Sequence, residues 1–156
     1  MQKLPQPDGL EPVTIIPYAD AAHRSQVVAL WEVVFGYDAP HNKPSLAIDK
    51  KISAKDGLFF VALAGALVVG TVMAGYDGHR GWIYSVAVSP SHRRQGIGTR
   101  LVSMAEQALT AQGCVKINLQ ILEGNASVTA FYESLGFSVE KRISMGKRIP
   151  KNVPGA

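Results

Sequence analysis

One stretch constrains this chain more than any other: Val86-Ala87-Val88-Ser89-Pro90-Ser91-His92-Arg93-Arg94-Gln95-Gly96-Ile97-Gly98-Thr99. An apolar run rich in valine stops at Ser89-Pro90. After two arginines and two glycines the spacing turns helical, with Gly98, Leu101, Val102, Ala105, Ala108 and Leu109 on one face and Gly113 closing it. The pattern predicts a strand feeding a loop that opens a helix. The first turn of a helix leaves backbone N–H groups without partners and carries partial positive charge, so it favours an anion. Gly96 and Gly98 let the backbone approach a ligand closely, and Arg93 and Arg94 can add charge-assisted hydrogen bonds. These residues specify an anion of the phosphate-ester kind. On the residues alone a second reading stays open, in which the glycines serve helix–sheet packing and the arginines face solvent. The spacing is not a P-loop, since no Gly-Lys-Ser/Thr follows, and not G-x-G-x-x-G, since position 101 is Leu.

The surrounding pattern makes this one α/β domain with a mixed sheet. Val13 to Ile16 reads as a strand ended by Pro17, and Asp20 as the cap of a helix with Val27, Leu30, Trp31 and Val34 on its buried face. Gly36 to Pro44 reads as a polar loop, and Ser45 as the cap of a short helix through Ala54. Leu58–Leu63 and Leu67–Met73 read as strands joined by Ala64-Gly65-Ala66, and Tyr76-Asp77-Gly78-His79 as a second turn before a strand from Trp82 to Val88. Val115 to Ile121 alternates as a strand, Asn125 to Leu135 reads as a helix, and Phe137 to Ser144 as a last strand. Residues 1–11, with two prolines and a glycine, read as a flexible tail, 12–146 as the domain, and 147–156 as a basic C-terminal tail.

Composition removes several function classes. With 156 residues, 47% hydrophobic and 18% charged, the chain has the make-up of a globular protein able to bury a core. No apolar run is long enough to span a bilayer, and the first residues carry no apolar signal region, which gives a cytoplasmic expectation. The net charge of +4 is gathered at His92-Arg93-Arg94 and between Lys141 and Lys151, without the interleaved aromatics of a nucleic-acid surface, so no nucleic-acid partner is expected. Four scattered histidines lack ligand spacing, so no metal is expected. Cys114 is the one cysteine and reads as a structural thiol.

Arg93-Arg94-Gln95-Gly96-Ile97-Gly98 resembles the Gln/Arg-x-x-Gly-x-Gly/Ala signature of the GNAT acetyltransferases, and Val86-Ala87-Val88-Ser89-Pro90 resembles the strand end that precedes it there. Further on, the stretch from Asn125 to Phe137 (Asn-Ala-Ser-Val-Thr-Ala-Phe-Tyr-Glu-Ser-Leu-Gly-Phe) is similar to the family's Asn-x-x-Ala-x-x-Phe/Leu-Tyr-x-x-x-Gly-Phe, with Val128 where Ala is usual. The resemblance runs from about Phe59 to Phe137. It implies a mostly antiparallel central sheet flanked by helices, and transfer of an acetyl group from acetyl-CoA to an amine.

Carried over residue by residue, the resemblance gives the backbone of Val86, Ala87 and Val88 to the pantetheine arm, with an N–H near Val88 on the thioester carbonyl. The amides of Arg94, Gln95, Gly96, Ile97, Gly98 and Thr99, with Arg93 beside them, go to the pyrophosphate. Asn125 goes to the cofactor's amide chain, and Tyr132 takes the general acid's place, giving a proton to the leaving CoA thiolate. An ordinary packed helix tyrosine is the other reading of Tyr132. No general base is named: the branch acting on protein N-termini has a Glu five residues before its Asn, and Gln120 stands there. Glu123, Asp77, His79, Glu32 and Asp38 are the remaining candidates. The acceptor is expected to be a small-molecule amine or a protein amino group, and a homodimer is compatible with the sequence. A CoA-binding regulatory module without transfer activity is the alternative function.

Overall fold

The structure is a computed structural model and describes residues 11–36 and 43–150. The chain forms two compact units, Met1–Gln120 and Ile121–Ala156. In the first, β1 (Val13–Pro17), β2 (Phe59–Ala64), β3 (Leu67–Tyr76), β4 (Gly81–Val88) and β5 (Ile117–Asn118) form one sheet in that order. The first four are antiparallel and β5 runs parallel to β4. Helices α1 (Asp20–Phe35), α2 (Pro44–Ala54) and α3 (Ile97–Ala111) complete this unit. The second unit holds α4 (Ala126–Ser134).

The two faces of the sheet are covered by different helices, and the register explains how. Successive strand side chains point to opposite faces. Thr71 reaches Trp31 of α1, while a Cβ on the adjacent Gly70 would meet Leu101 of α3. Val27, Leu30 and Trp31 of α1 pack with Ile48 of α2 on Phe59, Val61, Val68, Met73 and Ala87 of the sheet. This is the stripe the sequence spacing predicts, extended one turn back to the buried His23, whose Nδ1 accepts from the Ala19 N–H. On α3, Ile97, Leu101, Val102, Ala105 and Leu109 are buried. Arg24 ties the first two helices together through Asp20 and Asp49, each at 2.7 Å.

Several boundaries differ from expectation. Ala19 precedes α1 with extended φ/ψ, so Asp20 is the first helical residue and not its cap. Its carboxylate instead accepts from Tyr18 and Arg24. Lys43 caps α2 and Pro44 opens it, since a proline there forfeits only an N–H that has no helical partner. β3 runs on to Tyr76. β5 pairs with β4 over two residues only, ending at Trp82, before the bulge of β4. Phe137 to Ser144 form no strand. Their alternation would earn pairing only beside a partner that covers the apolar members, and Val139 and Ile143 are 78% and 90% exposed. Most of the 1–11 tail, the heart of the Gly36–Pro44 loop and residues 151–156 lie outside the described residues.

Candidate active site

β4 is the spine of the site. Thr71 pairs with Ala87 and Met73 with Tyr84, so Ser85 and Val86 together oppose one residue of β3. This is a β-bulge, and Ser85 takes a φ of 52° to make it. The Ser85 carbonyl accepts from the Thr71 hydroxyl at 2.9 Å, and that hydroxyl oxygen accepts from the Trp31 indole N–H at 2.8 Å. Trp31 and Thr71 are fully buried. The bulge is therefore held from the core side by an indole–hydroxyl relay. Beyond Trp82 no described strand pairs with the outer edge of β4. A strand edge that no other strand pairs can take an extended ligand.

From Val88 the chain enters the glycine-bearing loop. The Ser89 N–H donates to the Val69 carbonyl at 2.8 Å, fixing the exit, and a short 3-10 turn follows over Pro90–His92. Arg94 takes a φ of 62° and Gly96 one of 73°, which caps α3. Only three described non-glycine residues have positive φ, and two of them, Ser85 and Arg94, flank this segment; such conformations cluster at functional sites. The first bond of the helix runs from the Arg100 N–H to the Gly96 carbonyl. The N–H groups of Ile97, Gly98 and Thr99 precede it and lack helical acceptors. Ile97 is 2% exposed and anchors the turn, whereas Arg93 and Arg94 are exposed, with no ion pair among the described residues. The structure thus brings Val86, Ala87, Val88 and residues 93–99 into one continuous strand–loop–helix.

Asn125 and Tyr132 lie in the second unit. Asn125 caps α4, its Oδ1 accepting from the Val128 N–H at 3.4 Å and from Ser127 at 3.3 Å, which leaves its N–H2 to donate. Tyr132 is 8% exposed and sits edge-on to Phe131 and Phe137, at 5.0 and 5.6 Å between ring centres. Burial pushes its phenol up to about 12, so it holds its proton through neutral pH. Its hydroxyl has no hydrogen-bond partner among the described residues.

The candidate bases divide clearly. Asp77 accepts from the N–H groups of Arg80 and His79, each at 2.7 Å, and these bonds hold its carboxyl below the usual range. That carboxylate is a turn brace and a weak base. Glu32 and Glu123 are exposed, His79 neighbours the Arg80 guanidinium, and Asp38 lies outside the described residues. The sequence reading gave Trp31 only a place in the core and did not single out Thr71 or Ser85; a threonine inside an apolar strand was the one visible signal. No three His, Cys, Asp or Glu side chains among the described residues could share a metal, and no described helix is long and apolar enough to cross a membrane.

Comparison with known proteins supplies a context for this geometry. The model described as the Acetyltransferase (GNAT) family matches residues 24–137. The chain is 39% identical over 124 residues to an acetyltransferase of Yersinia pestis (strain Pestoides F), covering 80% of this chain and 87% of the relative. Among solved structures it is similar to aminoglycoside N-acetyltransferase AAC(6')-Iy in complex with CoA, with a TM-score of 0.75 at 18% identity, covering 92% of this chain and 98% of that one. It is also similar to a transcriptional regulator from Bacillus halodurans C-125, with a TM-score of 0.70 at 25% identity, covering 88% of this chain and all (100%) of that one.

Proposed function

The chain belongs to the GNAT acetyltransferase family and is an N-acetyltransferase, and from that premise we propose that it carries an acetyl group from acetyl-CoA directly to a primary amine. The observation that carries this reading is the open edge of β4 past its bulge, running without interruption into the free N–H groups at the start of α3. An extended amide chain fits the first part and a pyrophosphate the second.

In this reading the pantetheine arm lies along Val86–Val88, and an N–H near Val88 donates to the thioester oxygen as charge develops there. The N–H groups from Arg94 to Thr99 hold the pyrophosphate, with Arg93 beside them, and the Asn125 amide donates to the pantetheine chain. The amine lone pair attacks the carbonyl carbon, and a tetrahedral adduct forms. It collapses with loss of the C–S bond, the CoA thiolate takes a proton from Tyr132, the amide product sheds its surplus proton to water, and water returns a proton to the Tyr132 phenolate. No enzyme-bound acyl group is involved.

Two measurements on the purified protein test the proposal. Acetyl-CoA at a hundredfold excess over its dissociation constant should stabilise the fold by about 2.7 kcal/mol, read as a thermal shift. A panel of amines should give thiol release that depends on the amine. A shift without amine-dependent release supports the second reading, a CoA-binding regulatory module without transfer activity. No shift at all with CoA-free protein overturns both.

A further inference from the structure

On the α2 face of the sheet, wholly within the first unit, lies an open groove of about 630 Å³ between α2 and the ends of β3 and β4. That volume suits a small molecule. Its sheet wall is aromatic: Trp82 and Tyr84 line it, and the groove ends at Ser85, the bulge residue next to Val86. Trp82 and Tyr84 are 38% and 42% exposed, a large planar apolar surface left uncovered.

The charges lining the groove are unevenly committed. Lys51, with 6% of its side chain exposed, gives its ammonium to Asp56 at 2.8 Å and to the Ala74 carbonyl, and sits 5.3 Å from the centre of the Tyr84 ring. Asp77 is held by the backbone N–H groups of the β3–β4 turn and by the Trp82 side chain. Both carboxylates of the groove are therefore occupied, whereas Lys50 lines it with no ion pair among the described residues. A ligand bearing several ammonium groups would find the Lys50 charge unpaired, Asp56 already taken by Lys51, and Asp77 alone as a counter-charge.

We infer that this groove is the acceptor site and that it takes a primary monoamine carried on a flat apolar body, of the aryl-alkylamine kind. The inference rests on the acetyl-transfer reading above and names its substrate class. The ring lies against Trp82 and Tyr84, and the amine reaches toward Ser85 and the thioester beyond it. Lys50, which has no ion pair among the described residues, disfavours a further positive charge beside it and so favours the neutral, nucleophilic form of the amine. This also accounts for a site in which no side chain stands out as general base: Lys50 lowers the proton affinity of the acceptor, and water removes the proton.

The test is steady-state thiol release at saturating acetyl-CoA with phenethylamine, tryptamine, butylamine, neamine and kanamycin. The aryl-alkylamines should exceed butylamine and both aminoglycosides by tenfold or more in kcat/KM. Tyr84→Leu, which keeps apolar bulk but removes the planar face, and Trp82→Leu should each raise the aryl-alkylamine KM about tenfold and leave the acetyl-CoA KM unchanged. Lys50→Glu should narrow the gap to the aminoglycosides. Aminoglycosides used as well as aryl-alkylamines, or an acceptor KM indifferent to both leucine variants, overturns the inference. If no amine is acetylated although acetyl-CoA binds, the transfer reading has failed, and calorimetry of phenethylamine against the CoA complex decides the groove separately. Binding weakened by Tyr84→Leu upholds the pocket, and no binding overturns it.

Discussion

The indole N–H of Trp31 donates to the hydroxyl of Thr71, which donates in turn to the carbonyl of Ser85, so a residue of the first helix sets the backbone of the fourth strand. A bulge withdraws a backbone group from its ladder, and a buried polar group left alone costs about 1–3 kcal/mol. The relay satisfies the Ser85 carbonyl and the Trp31 indole with one hydroxyl.

Thr71→Val keeps the shape and removes that hydroxyl. Two groups lose their partner at once, and urea unfolding should read a loss of about 2 kcal/mol or more. Thr71→Ser retains the hydroxyl and should lose about 1 kcal/mol for the missing methyl. The acetyl-CoA dissociation constant separates stability from positioning: it should rise at least fivefold in the valine variant and return to near wild type in the serine variant. Equal affinity in both would make the relay a stability device alone.

Gly70 and Gly96 should fail for different reasons. A Cβ on Gly70 would stand 2.9 Å from Leu101 Cδ1 and 3.0 Å from the Ala87 carbonyl oxygen, where backbone cannot give way. Overpacking of this kind costs about 1–3 kcal/mol. A Cβ on Gly96 meets nothing within 4 Å, but the residue has a φ of 73°, which costs an L-residue about 1–2 kcal/mol. Asn tolerates that conformation. Thermal melts should therefore rank Gly96→Asn above Gly96→Ala, and the order should reverse at Gly70.

The phosphate loop makes a further prediction. Gly98→Val should weaken CoA binding by tenfold or more while the core side of α3 at Leu101 and Val102 stays packed, because the branched side chain sits among the N–H groups offered to the pyrophosphate. Isothermal titration with CoA reads it. Unchanged affinity in a folded variant would mean the phosphates lie elsewhere.

The strand–loop–helix of 86–99 was legible because its signals are local: valines stop at a proline, glycines follow, and the helix stripe begins at once. The faces of α1 and α3 were legible for the same reason, through periodicity. The bulge was not. It depends on a two-against-one register between β3 and β4 and on a hydrogen bond from Thr71, residues far apart in sequence. The groove was invisible too, since Lys51 gains its meaning only when β3 brings the Ala74 carbonyl beside it. The expected strand at Phe137–Ser144 shows the limit of alternation: period two describes side chains, while a strand also needs a neighbour to bond.

Tyr132 carries the last prediction, and two independent readouts bear on it. Burial raises its phenol to about 12 from an ordinary value near 10. A raised pKa means the folded state holds the proton more tightly than the unfolded chain. The associated stability is fully present below about pH 10 and is lost as pH rises toward about 12. Tyr132→Phe should therefore make the alkaline fall in stability shallower over that window. The fall should not vanish, because Tyr18 is pushed upward as well, by burial and by its bond to Asp20. Turnover is the second readout. If the phenol protonates the departing thiolate, the phenylalanine variant should lose roughly 10²-fold in kcat while its acetyl-CoA dissociation constant moves less than twofold. A free thiol has a pKa near 8.5, so its thiolate is already a fair leaving group. The measurement must therefore use an acceptor whose chemical step limits the rate. Wild-type turnover in the phenylalanine variant, together with the shallower alkaline limb, would establish Tyr132 as a packing residue between Phe131 and Phe137 and assign the proton to water.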